Sequence, residues 1–226
     1  MNDDTKTHLV QPFRALRPAP RHAAEVAAPP YDVLNSDEAR ALAAGKPNSF
    51  LHISKPEIDL PEDTDAHAPE VYAKGAENMA RMISDGVLRR DERPSYYIYR
   101  VETHGHVQTG LAAGGSVAAY EANLIRKHEL TRPDKEDDRV AQIEAVGAHT
   151  GPVFTVHKPD AALAKIMKRG AAATPDYSAQ LGDVRHTVWT IDQRADIAGV
   201  TEAFDRLGVI YIADGHHRSA AAGRGA

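Results

Sequence analysis

Apolar positions recur at helical spacing in one long segment, between Pro69 and Gly86. Proline suits the first turn of a helix and glycine commonly follows the last. The spacing therefore predicts a helix that begins at Pro69 and stops at Gly86. Its apolar side is predicted to consist of Val71, Tyr72, Met79, Met82 and Ile83.

Four further segments have helical composition. They cover residues 36–44, 124–146, 161–169 and 196–207. Ser36 or Asp37 is expected to cap the first, and Pro133 is expected to interrupt the second.

Short apolar runs between turn residues predict strands. Residues 95–101 and 107–113 are expected to form a hairpin around a turn at residues 103–106. The other predicted strands cover residues 50–53, 116–120, 152–157, 186–191 and 209–213. Residues 1–30 contain five prolines and are expected to be irregular.

Helices and strands follow one another without regular alternation, so the predicted fold class is α+β. We expect a mixed or antiparallel sheet with flanking helices rather than a doubly wound sheet. No linker is evident in the sequence. Residues 1–226 are therefore predicted to form a single α+β unit, with a boundary near residues 90–95 as the alternative.

The composition, with 42% hydrophobic and 26% charged residues, is typical of a soluble globular protein. A net charge of −5 gives no general attraction to nucleic acid or to an anionic membrane. No apolar run approaches the roughly 20 residues that span a bilayer, and Met1–Asp4 does not begin a secretory signal. A cytoplasmic location is the expectation. The absence of cysteine excludes disulfides, thiolate zinc sites and cysteine nucleophiles.

The most informative segment is Asp214–Arg218, which we call the histidine turn. It follows the apolar run 209–213 and precedes an alanine-rich segment, an order that predicts a strand, a sharp turn and a helix start. Gly215 lets the backbone approach a ligand, and the free N–H groups at a helix N-terminus suit a phosphate. Histidine, aspartate and arginine together offer proton transfer, metal ligation and anion binding. The simpler interpretation is a helix start that Asp214 caps.

A second polar cluster lies within residues 127–139. Glu129 is a candidate general base, and Lys127, Lys135 and Arg139 are candidate phosphate-binding residues. A charged surface helix with ion pairs between successive turns explains the same residues equally well.

Three weaker candidates complete the set. Asp32 follows a stiff double proline, although a turn aspartate usually bonds its own backbone. The turn at residues 149–152 leads directly into a predicted strand. His104 and His106 lie at the hairpin tip and are given no role. The sequence contains no HExxH, Walker A or GxGxxG motif.

Several motifs in a fixed order make the chain resemble a family of bacterial and archaeal proteins, the domain of unknown function 1015. The segments that carry the resemblance are Val26–Val33, Ser49–His52, Lys127–Thr131, Lys135–Arg139, Thr150–Phe154 and Tyr211–Arg218. Members of that family are typically about twice this long, with the histidine turn near the middle. The resemblance, and the few residues after Arg218, lead us to expect the N-terminal half of a longer protein.

The histidine turn is also similar to that of free serine kinases in the ParB/sulfiredoxin superfamily. That resemblance implies a comparable strand-turn-helix near the C-terminus that binds nucleotide phosphates. It implies a nucleotide-dependent phosphotransferase that acts on a small hydroxyl acceptor, with serine and phosphoserine as candidates.

This resemblance also implies roles for individual residues. Backbone N–H groups of residues 215–217 and the Arg218 guanidinium would hold the phosphates of ATP or ADP. His216 or His217 would stabilise charge or move a proton. The proton of the acceptor's hydroxyl group would pass to a carboxylate, for which the candidates are Glu129, Asp32 and Asp214. Mg²⁺ would sit on phosphate oxygens with Asp214 as its carboxylate ligand.

Two other functions stay open. A metal-dependent phosphohydrolase would use the histidines and carboxylates to activate water. A nonenzymatic nucleotide-binding or nucleic-acid-binding module is the other alternative, although the acidic net charge disfavours nucleic acid. The expected partners are a nucleotide and a small-molecule substrate, without membrane association.

Overall fold

The computed structural model describes residues 8–224, so Met1–Asp4, where no signal sequence is predicted, lies outside it. Its helices are α1 Ala23–Val26, α2 Ser36–Ala43, α3 Leu51–Ser54, α4 Pro69–Ser84, α5 Val117–Glu121, α6 Pro133–Val146, α7 Ala161–Gly170, α8 Arg194–Leu207 and α9 His216–Arg224. Its strands are β1 Val10–Gln11, β2 Leu16–Pro18, β3 Leu88–Arg90, β4 Tyr96–Thr103, β5 His106–Ala112, β6 Gly114–Gly115, β7 Ile125–Arg126, β8 Phe154–Val156, β9 Tyr177–Leu181, β10 Val184–Ile191 and β11 Ile210–Asp214. Short 3-10 helices cover Pro20–His22, Tyr31–Val33 and Pro56–Asp59. The predicted α+β class is confirmed.

The largest sheet is antiparallel, with strand order β5-β4-β10-β9. Alternate side chains of β4 and β10, including Tyr96, Ile98 and Trp189, are buried in the main core. Helix α8 packs on them through Val200 and Phe204. The β4–β5 hairpin confirms the predicted pairing of the two strands.

A second core surrounds α4, the helix that the apolar spacing predicts. Met79 and Met82 are buried in it, and Val71 is buried on the same side of α4. Ile83, expected on the apolar side, is 45% exposed, and Tyr72 directs its hydroxyl to a carboxylate of α6. The buried side of α4 is therefore narrower than the sequence predicts, because it does not include Ile83.

Two predicted strands are wrong. Residues 50–53 lie mostly in α3, and residues 116–120 lie mostly in α5, whose cap is Ser116. A short apolar run has too few residues to show a period, so its pattern does not separate a buried helical turn from a strand.

The N-terminal segment also differs from its prediction. It is not irregular throughout, since β1 pairs with β6 and β2 pairs with β3. The cap of α2 is Asn35, one residue before the predicted Ser36, and it forms a capping box with Glu38.

A small three-stranded sheet, with order β7-β11-β8, positions the candidate site. Strand β7 is parallel to β11, and β8 is antiparallel to it. Helix α9 leaves β11 and packs against α6, which in turn packs against α4. Among residues 8–224, no helix combines the length and apolar character needed to cross a membrane.

Candidate functional site

Three loops meet at one edge of the small sheet because of the directions of its strands. Parallel strands β7 and β11 both end at this edge, so residues 127–132 and the histidine turn leave the sheet side by side. Antiparallel β8 starts there, which places residues 150–153 next to them. The carboxyl ends of parallel strands commonly form ligand sites in open sheets.

Residues 127–132 and the histidine turn, with the 3-10 helix Tyr31–Val33, surround a cavity of about 190 Å³. We call it the histidine-turn cavity. Its lining residues are Tyr31, Asp32, Glu129, Asp214, Gly215, His216, His217 and Arg218. The wall thus combines three carboxylates with one guanidinium, two imidazoles and a helix N-terminus.

Gly215 makes the turn from β11 into α9 with a φ of +91°. L-residues rarely adopt this backbone conformation, whereas glycine does so without penalty. The first helical bond runs from the Ser219 N–H to the Gly215 carbonyl oxygen, at 2.9 Å. The N–H groups before Ser219 have no partner one turn earlier in the helix and are suited to an anion.

We expect Gly215→Ala to lower the free energy of unfolding by about 1–2 kcal/mol, because a Cβ is unfavourable in a left-handed conformation. Space is not the cause, since the nearest atom to an added Cβ is the Val153 Cα at 3.4 Å. Urea unfolding of both proteins measures the difference. The matched control is Gly110→Ala in β5, where a Cβ meets nothing within 4 Å. That control should leave stability unchanged or raise it by up to about 1 kcal/mol. An equal loss in both variants would show that the turn does not require glycine.

Arg218 ties three segments together at the wall of the cavity. Its Nη1 donates to the Pro152 carbonyl oxygen at 2.9 Å, and its Nη2 donates to Asp32. A Cβ at Gly151 would lie 3.2 Å from Arg218 Cδ and Nε. Because glycine has no side chain, the arginine side chain can pass close to the backbone at this position. Burial lowers the pKa of Arg218, but the charge of Asp32 and hydrogen bonds with Tyr31 and Asp32 outweigh burial and raise it. The guanidinium is therefore charged at every pH of interest.

Tyr31 lies between the cavity and helix α6. The guanidinium carbon of Arg139 is 4.1 Å from the centre of its ring, and that of Arg218 is 5.3 Å from it. Arg139 also forms an ion pair with Asp138. Burial raises the pKa of Asp138, but Arg139 and hydrogen bonds from Tyr72 and other neighbours outweigh it, so the net pKa is lowered. Arg139 is thus held by two partners beside the cavity.

The two histidines of the turn have separate partners. His216 is buried, its Nδ1 lies 3.4 Å from a carboxylate oxygen of Glu129, and its ring meets that of His128 edge to face. His217 accepts a hydrogen bond at Nε2 from the Arg132 N–H, at 3.2 Å. Consecutive helical residues point about 100° apart, so the two imidazoles face different neighbours.

The structure brings together most of the residues that the sequence singles out. Asp32, Glu129 and all of the histidine turn line the same cavity. Two predicted phosphate-binding residues lie elsewhere, because the Lys127 ammonium rests 4.3 Å from the centre of the Tyr120 ring and Lys135 is exposed on α6. Arg139 borders a smaller neighbouring cavity instead.

Sequence reasoning missed three contributors. Tyr31 and Gly151 lie in segments that the sequence marks, the double-proline segment and the turn before β8, yet neither carries ionisable chemistry at neutral pH. His128 lies beside Glu129 in sequence and meets His216 in space. Its position directly before the candidate base is the signal that could have identified it.

No curated protein and no solved structure matches this chain. The model of the family described as "Protein of unknown function (DUF1015)" matches residues 10–226, nearly the whole sequence, and the chain therefore belongs to this family.

Proposed function

We propose that this protein is a nucleotide-dependent phosphotransferase that acts on a small hydroxyl acceptor, with serine and phosphoserine as the candidate acceptor and product. The observation that carries the proposal is the histidine-turn cavity. A left-handed glycine, a helix N-terminus and an arginine face three carboxylates there. Phosphoryl transfer depends chiefly on positioning and on charge neutralisation, and this set of groups suits both.

The N-terminus of α9 is the proposed phosphate site. Backbone N–H groups of residues 215–217 offer hydrogen bonds, and the helix dipole favours a negative charge. Arg218 adds a planar guanidinium, which suits phosphate oxygens. A cavity of about 190 Å³ is smaller than the roughly 300–1,000 Å³ of typical small-molecule pockets. We therefore infer that it takes the phosphate end of the nucleotide.

Glu129 is the proposed proton acceptor. In the transfer step the acceptor's hydroxyl oxygen forms a bond to the terminal phosphorus of ATP or ADP, and the bond from that phosphorus to its bridging oxygen breaks. The hydroxyl proton passes to Glu129, and the shortened nucleotide leaves. Asp32 is less suited to this task than Glu129, because its carboxylate already accepts a hydrogen bond from Arg218.

The charges of the cavity suit a nucleotide that carries Mg²⁺. Asp32, Glu129 and Asp214 would repel a bare polyphosphate, and a divalent cation offsets that repulsion. Mg²⁺ commonly binds through one or two carboxylates together with substrate phosphates. Asp214 lines the cavity and forms no side-chain hydrogen bond among residues 8–224, so it would hold the ion. When bound, Mg²⁺ neutralises charge that develops on the phosphate oxygens.

Thermal unfolding with and without ATP, ADP and CTP, each with Mg²⁺, tests nucleotide binding. A ligand at about 100 times its Kd stabilises the native state by about 2.7 kcal/mol. For a chain of this size that free energy raises the Tm by about 5–10 °C. We expect one nucleotide to raise the Tm selectively. No shift at millimolar nucleotide would contradict the proposal, whereas a shift without turnover on serine would favour a nucleotide-binding module.

A metal-dependent phosphohydrolase is the second candidate function. One observation favours it, the proximity of His128, Glu129 and His216, whose ligand atoms could hold a metal ion. A hydrolase would release inorganic phosphate without an acceptor, whereas a transferase would require one. Phosphate release measured with and without serine therefore separates the two functions.

A further inference from the structure

We propose that His128, Glu129 and His216 form a binding site for one divalent transition-metal ion of the Zn²⁺ class. We call these three residues the metal triad. The proposal concerns this chain's own side chains and is independent of whether the protein transfers phosphate. It is also distinct from Mg²⁺ on a nucleotide, which would be held by oxygen atoms at Asp214.

The distances within the metal triad fit a single ion. Each residue offers one ligand atom, and these atoms all lie within 4.8 Å of one another. His216 Nδ1 and a Glu129 carboxylate oxygen are 3.4 Å apart. Two ligand atoms at the usual 2.0–2.1 Å from tetrahedral zinc lie about 3.3 Å from each other. This pair therefore needs little adjustment, whereas a pair at the 4.8 Å limit would have to close by about 1.5 Å on binding.

A second observation is the burial of the His216 imidazole. His216 is only 5% exposed, and its Nε2 has no hydrogen-bond partner among residues 8–224. Its Nδ1, the ring nitrogen that faces Glu129, is the proposed ligand atom, so Nε2 would carry the ring proton. A buried histidine that directs Nδ1 at a carboxylate, with a second histidine in contact, points to a cation between them.

The donor set indicates the class of metal. Two imidazoles and one carboxylate suit Zn²⁺ and related first-row ions, whereas Mg²⁺ prefers oxygen atoms. Three protein ligands leave the fourth position of a tetrahedral ion open, as in catalytic rather than structural zinc sites. Since Glu129 and His216 both line the histidine-turn cavity, the open position would face that cavity.

Neighbouring groups help to define the site. His217 is not among the clustered ligand atoms, and its Nε2 accepts the Arg132 N–H. Asp214 lines the same cavity but is not among the clustered ligand atoms. A divalent cation at Glu129 disfavours protonation of its carboxylate, so Glu129 would accept the proton in the proposed transfer only while the metal triad is empty.

The test is direct metal binding to the full chain, freed of metal with a chelator and carrying no histidine tag. Isothermal titration with Zn²⁺ gives the stoichiometry and the Kd, and Co²⁺ in place of zinc gives a visible spectrum that reports coordination number. We expect one equivalent of Zn²⁺ and a four-coordinate Co²⁺ spectrum. His128→Ala and Glu129→Gln should each weaken Zn²⁺ binding by more than the roughly 10- to 100-fold that loss of a ligand's hydrogen-bond partner causes.

The matched control is His106→Ala, which removes an exposed histidine at the β4–β5 hairpin. It should leave the Kd for Zn²⁺ and the Co²⁺ spectrum unchanged. The tested residues His128 and Glu129 are exposed, so their variants should fold, and circular dichroism checks this. Absence of zinc binding, or binding that His106→Ala abolishes and His128→Ala does not, would overturn the proposal. Neither result depends on nucleotide. The proposed metal site and the proposed phosphotransferase activity can therefore be refuted independently of each other.

Discussion

Glu129→Gln is expected to lower kcat for phosphoryl transfer by about 10²- to 10⁴-fold, the usual contribution of a general base. The amide has nearly the size of the carboxylate but cannot accept the acceptor's proton at neutral pH. Glu129 is 61% exposed on its side chain, so the substitution should not disturb the core. The nucleotide Kd should stay nearly unchanged, because the proposed phosphate site lies at the N-terminus of α9 rather than at Glu129.

The assay compares kcat and nucleotide Kd, with Mg²⁺ as the only divalent cation so that the metal triad does not contribute. Glu144→Gln, an exposed glutamate on α6, serves as the matched control and should behave like the unmodified chain. A parallel loss of nucleotide affinity and turnover in Glu129→Gln would indicate a structural role for Glu129. Unchanged turnover would remove it from the reaction altogether.

Long elements of this fold could be predicted from the sequence because each carries its own pattern. Helix α4 has a proline at its start, a glycine two residues beyond its end and several apolar residues at helical spacing between them. The β4–β5 hairpin has two apolar runs around a turn that contains Gly105. Both signals are local, so they do not depend on which other segments pack nearby.

Short elements could not be predicted in the same way. Residues 50–53 are apolar enough for a strand, but the Phe50 N–H bonds the Val26 carbonyl oxygen and the next residues continue as a helical turn. Residues 117–121 form a helix because the Ser116 hydroxyl accepts the Ala119 N–H. In each case the apolar pattern fits a strand or a helix equally well. The helical segment that forms has one hydrogen bond at its start.

In the candidate site, too, local features could be predicted from the sequence and contacts between distant residues could not. The histidine turn could be predicted because strand, glycine and helix start are consecutive in sequence. The contact between Asp32 and Arg218 could not, because these residues are 186 positions apart and meet only through the packing of the N-terminal segment. The positive charge of Lys127 predicts a phosphate contact, yet the structure places its ammonium over the Tyr120 ring.

Arg218→Ala should weaken binding of the Mg²⁺-nucleotide by about 10- to 150-fold, which corresponds to the 1.5–3 kcal/mol of a hydrogen bond to a charged group. The guanidinium stays charged at any assay pH, so only substitution removes its contribution. Titration of the nucleotide against both proteins measures the ratio of Kd values. Arg218→Lys should lie between them, because lysine keeps the charge but loses the planar pair of donors.

Arg218 also joins α9 to Pro152 and Asp32, so a loss of affinity has to be separated from a loss of structure. The Tm without nucleotide makes that separation, and Asp32→Asn is the matched control. Asparagine removes the charge of the ion pair and leaves the guanidinium in place, so its nucleotide Kd should change less than that of Arg218→Ala. If Arg218→Ala keeps the unmodified affinity, Arg218 is not a phosphate ligand. If Asp32→Asn weakens binding as strongly as Arg218→Ala, the ion pair shapes the cavity and the arginine acts through it.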